Sequence, residues 1–308
     1  MRKYSHTALK LFQRCQLKWK YKYIDRLEPD DGPSAAIVKG KKLHDGLEMY
    51  HTMDPGFTQW ILDADPEDAN ILVRYSEKWE DEEWEVLHAE EELEFDIGPY
   101  TVVYKPDLII RQNDEVWIVD HKTTANIPDE WDPYNMTDFQ HLLYVAAVEE
   151  TMYPEVAGFI FNYVRTKPPG VPKLVKDGSK IAYLNSLDTT PDILAQYAKR
   201  VGMDKDRDVV SRINVLRHAP DKYFQRHYIM APTEARRAAV RDTHAVLEEM
   251  SRKEAGRTAT STYPRHVVAG YGGSTSCARC EYQALCHAEL MGMNTDVTLL
   301  GYRERETR

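Results

Sequence analysis

Cysteine is scarce in this chain: four residues in 308, at Cys15, Cys277, Cys280 and Cys286. No stretch of 18 apolar residues occurs and no secretory signal is present, which excludes a membrane-spanning helix and predicts a soluble, cytoplasmic protein. In that setting, three closely spaced thiols with one distant partner argue for a metal site rather than disulfides. Internal repeats and long low-complexity segments are missing as well, so a repeat array is excluded. Positive charge is in deficit, with 40 Lys and Arg against 50 Asp and Glu. The resulting −10 argues against a polyanionic partner until its distribution is read. Residues 54–97 alone contribute −14 (16 acidic side chains against Arg74 and Lys78), leaving +4 for the remainder. The acidic run reads as a solvated helical face.

What is present can bury one large core, since 42% of the residues are hydrophobic. The opening segment reads as a single helix capped near Ser5, with Leu9, Phe12, Trp19 and Tyr23 inward. Lys10, Arg14, Lys18 and Lys22 then recur every four residues on its surface. Like charges at that spacing repel by a few tenths of a kcal/mol per pair, so the stripe favours an anion such as a phosphate backbone. Further helices are expected over 37–52 and 68–88, around Gln140, and at about 189–202 and 232–252. Strands are expected at 91–97, 156–165 and 224–230, with a polar hairpin at 171–186.

The most informative stretch runs from Tyr104 to Thr124, YKPDLIIRQNDEVWIVDHKTT. Asn113-Asp114 is a two-residue turn between runs rich in Val, Ile and Trp, which predicts a β-hairpin. Pairing Gln112 with Glu115 and counting outward sets Asp107 opposite Asp120. Side chains alternate along a strand, so Lys122 shares a face with Asp120. Two carboxylates hold hard divalent cations, and an ammonium beside them orients water or neutralises charge on a phosphate.

Pro106-Asp107, twelve residues, then Asp120-x-Lys122 resembles the PD-(D/E)xK nuclease signature. The form IVDHKTT is closest to the RecB-like branch. Gly40-Lys41-Lys42-Leu43-His44 with Leu47-Glu48 resembles the motif that supplies a metal-ligating histidine, and Gln140-x-x-x-Tyr144 resembles the motif on the helix after the hairpin. Cys15 with C-x-x-C-x5-C at 277–286 resembles the iron–sulfur staple of RecB-like nucleases, including those of CRISPR adaptation. The resemblance implies a 4Fe–4S cluster on Cys15, Cys277, Cys280 and Cys286. The thiolate chemistry alone fits structural Zn2+ equally well.

The resemblance further implies an α/β fold of the restriction-endonuclease-like type: a mixed central sheet flanked by helices, its two ends joined at the four cysteines. Residues 1–308 are expected to form one nuclease domain. It divides into an N-terminal helix with the first cysteine (1–36), a catalytic core (37–166), accessory elements (167–262) and a cysteine-bearing tail (263–308). One or two Mg2+ or Mn2+ ions are expected on His44, Asp107, Asp120 and the backbone carbonyl of His121. Lys122 is expected to position the attacking water, with Gln140 and Tyr144 beside it. Glu90, Glu91, Glu92 and Glu94 are each candidates to approach the metals, and Arg165 joins the N-terminal stripe as a DNA contact. The implied activity is exonucleolytic hydrolysis of DNA ends or single strands in recombination, repair or end processing. The setting would be a prokaryotic cell or a phage-infected host, with a helicase, recombinase or CRISPR-adaptation protein as candidate partner. The alternative is a DNA-binding or complex-assembly protein with a vestigial core. Oligomeric state is open.

Overall fold

The computed structural model describes residues 2–127, 139–219, 221–256, 263–265, 277 and 280–305. Strand β1 (Arg2–Ser5) leads into α1 (His6–Arg14), α2 (Gln16–Trp19), a π-helical turn over Lys20–Ile24, and β2 (Leu27–Pro29). Helices α3 (Ala35–His51), α4 (Phe57–Asp63) and α5 (Pro66–Lys78) follow. Next come strands β3 (Glu85–Ala89), β4 (Leu93–Ile97), β5 (Tyr100–Tyr104), β6 (Leu108–Gln112) and β7 (Glu115–Thr124). After α6 (Phe139–Thr151) and β8 (Gly158–Arg165) come α7 (Pro191–Arg200), α8 (Arg207–His218), β9 (Phe224–Met230) and α9 (Thr233–Gly256). The chain closes with α10 (Gln283–Leu290), α11 (Asp296–Leu299) and β10 (Tyr302–Glu304).

Two residues set the register of the central sheet. Asn113 and Asp114 both take positive φ, 51° and 65°, as a two-residue hairpin turn of the primed type requires. Gln112 therefore pairs with Glu115, as the sequence predicts, and the β6–β7 ladder runs to Leu108↔Val119. The five-stranded sheet has the order β3-β6-β7-β8-β9. Only β7 and β8 are parallel, joined through α6, so the sheet is mixed. A second sheet orders β1-β5-β4, and β2 pairs with β10.

The five-stranded sheet is buried on both faces, which is why its strands read as apolar runs. Ile109, Ile118, Phe159 and Phe161 join Leu143, Ala147 and Val148 of α6 and Leu247 and Met250 of α9 in the largest core. On the other face, Leu108, Ile110, Val119 and Ile160 pack with Trp84 and Trp117. Leu43 and Leu47 of α3 join Ile71, Leu72 and Tyr75 of α5 and Val164 of β8. Close approach of α3 depends on Gly46, where an added Cβ would lie 2.2 Å from Leu72 Cδ1.

Several expectations need correcting. The single opening helix breaks at Cys15, whose backbone is extended (φ −161°, ψ 104°), although Ser5 does cap α1 by accepting from Ala8 N. The break dissolves the cationic stripe: Lys18 pairs with Glu281 and Lys22 is half-buried, while Lys10 and Arg14 stay exposed on α1. The stretch 68–88 is not one helix, because α5 ends at Lys78 and β3 takes the edge of the central sheet. The strand expected at 91–97 is β4, which pairs with β5 in the second sheet. The acidic segment is only partly solvated, since Asp68 is buried against Lys39 and Glu82 against Arg226. The 171–186 hairpin is present in short form, with the Leu174↔Ile181 bridge flanked by hydrogen bonds from Val175 N to Lys180 O and from Ala182 N to Lys173 O, whereas α8 is absent from the sequence expectation. Strand β9 has the predicted bounds.

Candidate active site

Asp107 lies one residue before β6, across from Asp120, and its Oδ2 accepts a hydrogen bond from the His121 backbone N at 2.5 Å. That bond holds the PD segment to β7 at the point where the ladder stops. Helix α3 carries His44 over the same spot, placing its Nδ1 3.6 Å from Asp107 Oδ2. Burial alone would raise Asp107, but the adjacent His44 and His121 and the bond from the His121 backbone N–H outweigh it and hold its pKa low. Burial likewise opposes protonation of His44, yet Asp107, Asp120 and Glu90 together raise its pKa.

One of the four candidate glutamates reaches this spot. Ligand atoms of His44, Asp107 and Glu90 lie within 4.8 Å of one another. Glu90 has a positive φ of 50°, an uncommon conformation for a side chain of this kind, and its N–H donates to Asp107 O at 3.0 Å. Glu91 instead meets His88 at 2.5 Å, and Glu94 pairs with Lys3. Nothing in the sequence separates these glutamates, because the turn that aims Glu90 inward is anchored on Asp107. Lys105 was missed as well; it pairs with Glu90. One imidazole and two carboxylates form a donor set suited to Mn2+ or Mg2+.

Asp120 lies beside this trio, on the β7 face covered by α6. It is buried and ion-paired with Lys122, which extends over the Phe161 ring. Gln140 Nε2 donates to its Oδ1 at 3.2 Å. Burial, reinforced by the Asp107 charge and opposed by Lys122, pushes Asp120 up to about 6. Tyr144, one turn beyond Gln140, is buried between His6 and Tyr104, with ring centroids 5.3 and 5.2 Å away. Its hydroxyl is pushed well above the usual tyrosine range, chiefly by burial.

Arg165 does not join a nucleic-acid surface. Its side chain is only 5% exposed and grips Asp188 with two hydrogen bonds, at 2.9 and 2.5 Å, while Nε donates to Ala125 O at 3.0 Å. Lys167, two residues on, keeps the exposed position. Glu48 is also near the trio and raised, first by burial and then by Glu90.

The four thiols are free of disulfides and half-buried. Cys15 Sγ caps α2 by accepting from Lys18 N at 3.4 Å, and Cys15, Cys280 and Cys286 pack against the same core. Burial, with added effects from Glu281 and Cys15, raises the Cys280 thiol. Residues 278 and 279, between Cys277 and Cys280, lie outside the described residues. Protein contacts also join the N- and C-terminal segments. Tyr282 Oη donates to Leu27 O at 2.7 Å, Tyr21 Oη donates to Glu289, and β2 pairs with β10.

Among the described residues, no helix is long and apolar enough to cross a membrane. A sequence model of the PD-(D/E)XK nuclease superfamily matches residues 3–287. Two solved structures are similar at 13% identity. One, named "Putative exonuclease", is from Eubacterium rectale and gives a TM-score of 0.49, covering 91% of this chain and 86% of its own. The other, SSO0001, gives 0.37, covering 93% and 86%. No curated protein matches the chain.

Proposed function

Because the chain belongs to the PD-(D/E)XK nuclease superfamily, we propose that it is a metal-dependent deoxyribonuclease of the RecB-like branch, acting as an exonuclease on DNA ends or single strands. The observation that carries this reading is the meeting of His44, Glu90 and Asp107 beside the Asp120–Lys122 pair. Mg2+ or Mn2+ held by His44, Asp107, Asp120 and the His121 carbonyl, with Glu90 as an added ligand, would supply Lewis-acid stabilisation of charge on the scissile phosphate. Lys122 Nζ orients the attacking water, and its pairing with Asp120 keeps it aimed at the site. Gln140 fixes the Asp120 carboxylate by donating to it. Tyr144 buttresses that corner from α6. Lys10 and Arg14, exposed on α1, are phosphate contacts in this reading. The products carry 5′-phosphates.

The cysteines hold a 4Fe–4S cluster, with structural Zn2+ as the alternative, that adds a covalent tie between chain ends already in contact. Residues 167–262 are accessory to a single nuclease domain. The protein works in recombination, repair or end processing in a prokaryotic or phage-infected cytoplasm, alongside a helicase, recombinase or CRISPR-adaptation partner.

The test is cleavage of end-labelled linear and closed circular DNA, single- and double-stranded, with Mg2+ or Mn2+ after anaerobic purification. Loss of linear DNA only, abolished in Asp107→Ala and Lys122→Ala, is the expected result. Cutting of circles would replace exonuclease by endonuclease. Intact DNA in every lane would leave a DNA-binding or assembly protein.

A further inference from the structure

On the β7 face opposite Asp120, a buried polar chain runs from β9 to His121. Arg226 is the end of it. Its guanidinium is only 4% exposed and lies between Trp79 and Trp84, 3.6 and 3.8 Å from their ring centroids. It is neutralised by Glu82, to which NH2 donates at 2.9 Å. His51 stacks on Trp84 (centroids 5.0 Å, 24° between planes) and on His121 (5.5 Å, 14°). His121 in turn meets the ring of His44 edge-on at 5.8 Å.

The hydrogen bonds along this chain have only one consistent direction. Arginine donates and never accepts. Arg226 Nε donates to Asn162 Oδ1 at 3.3 Å, so the Asn162 amide must present its NH2 to its other neighbours. One N–H goes to Tyr75 Oη at 2.8 Å, the other to His121 Nδ1 at 2.7 Å. Tyr75 Oη also accepts from Arg226 NH2 at 3.0 Å, leaving its own proton for His51 Nε2 at 2.9 Å. His121 therefore accepts at Nδ1 and carries its proton on Nε2, while His51 carries its proton on Nδ1.

We propose that Arg226, acting through Asn162, is a positioning residue for the metal centre: it locks His121 as the neutral Nε2–H form, and so fixes the His121 peptide whose N–H holds Asp107. The proposal rests on the metal-site reading above. The His121 ring is clamped between the Asn162 hydrogen bond and the His51 stack, so the β7 backbone cannot turn without breaking both. Partners behind a ligand typically change metal affinity by about 10–100-fold when removed.

The test uses two variants, because removing Arg226 alone would strand Glu82 as a buried charge. Arg226→Met with Glu82→Leu removes the ion pair together, and Asn162→Asp forces an acceptor against His121 Nδ1. Tautomers are read from imidazole 15N–1H correlations in metal-free protein, and Mn2+ binding is measured by calorimetry with the metal alone. Wild type should show Nε2–H at His121, Asn162→Asp should switch it to Nδ1–H, and the double variant should give a mixture with Mn2+ bound about tenfold more weakly. Native tautomer and native Mn2+ affinity in the double variant would overturn the proposal alone, as would Nδ1–H in wild type. A wild type that binds no Mn2+ would overturn the metal reading and this proposal with it.

Discussion

The two faces of β7 differ in how completely their polar groups are satisfied. On the α6 face, Asp120 and Lys122 pair with one another and with Gln140, next to a trio of ligand atoms that has gathered like charges: two carboxylates within 4.8 Å. On the α3 face, Arg226, Asn162, Tyr75 and two histidines form a closed chain in which each donor of Asn162 and each lone pair of Tyr75 is used. Clustered carboxylates are tolerated where a cation is to be received, whereas the chain on the α3 face commits most of its polar groups to protein partners, with buried His121 Nε2 the exception. One strand with a two-residue period thus carries the reactive groups and their support side by side.

Substitutions that separate these roles test the contrast. Asp107→Ala should have the largest effect, abolishing both Mn2+ binding in calorimetry and cleavage, since Asp107 joins the trio to β7. Retained Mn2+ binding would remove Asp107 from the ligand set. Lys122→Ala should lower the single-turnover cleavage rate by about 10²–10⁴-fold while DNA affinity measured by fluorescence anisotropy stays within a small factor. Equal losses in both would make Lys122 a binding group. Tyr75→Phe, on the closed face, should destabilise the fold by about 1–3 kcal/mol in urea titration, because it strands buried partners. An unshifted urea midpoint would show that the chain is not a stability element. Asp114→Gly should have the smallest effect, stabilising by about 1 kcal/mol because φ of +65° is strained with a Cβ; its Mn2+ affinity should match wild type, and a change there would mean the turn tunes the site.

The hairpin was legible in the sequence because its signals are local: a turn dipeptide, alternating side chains, and apolar runs that end together. The same holds for the helix expected over 37–52, found as α3, and for β8 and β9. What escaped was decided at long range. The segment 79–88 reads as helix by composition, yet Trp79, Glu82 and Trp84 are claimed by Arg226, more than 140 positions away. Arg165 looks like a free cation until Asp188 is folded against it. Glu90 is indistinguishable from its neighbours until the Asp107 carbonyl captures its N–H. Cys15 splits the first helix, and the periodicity on either side runs on as if it did not.

The pairing of β2 with β10 has a consequence for synthesis. Leu27 and Glu304 are register partners, and Arg305 N donates to Arg26 O at 2.6 Å. A ribosome adding about 5–20 residues per second leaves roughly 15–60 s between the appearance of the two strands. Throughout that interval the first thirty residues lack the strand that pairs with β2, and the hairpin segment with Asp107 and Asp120 is made well before the interval ends. Pairing of β2 with β10 therefore has to wait for every residue between them, and translation order itself sets when that contact can form.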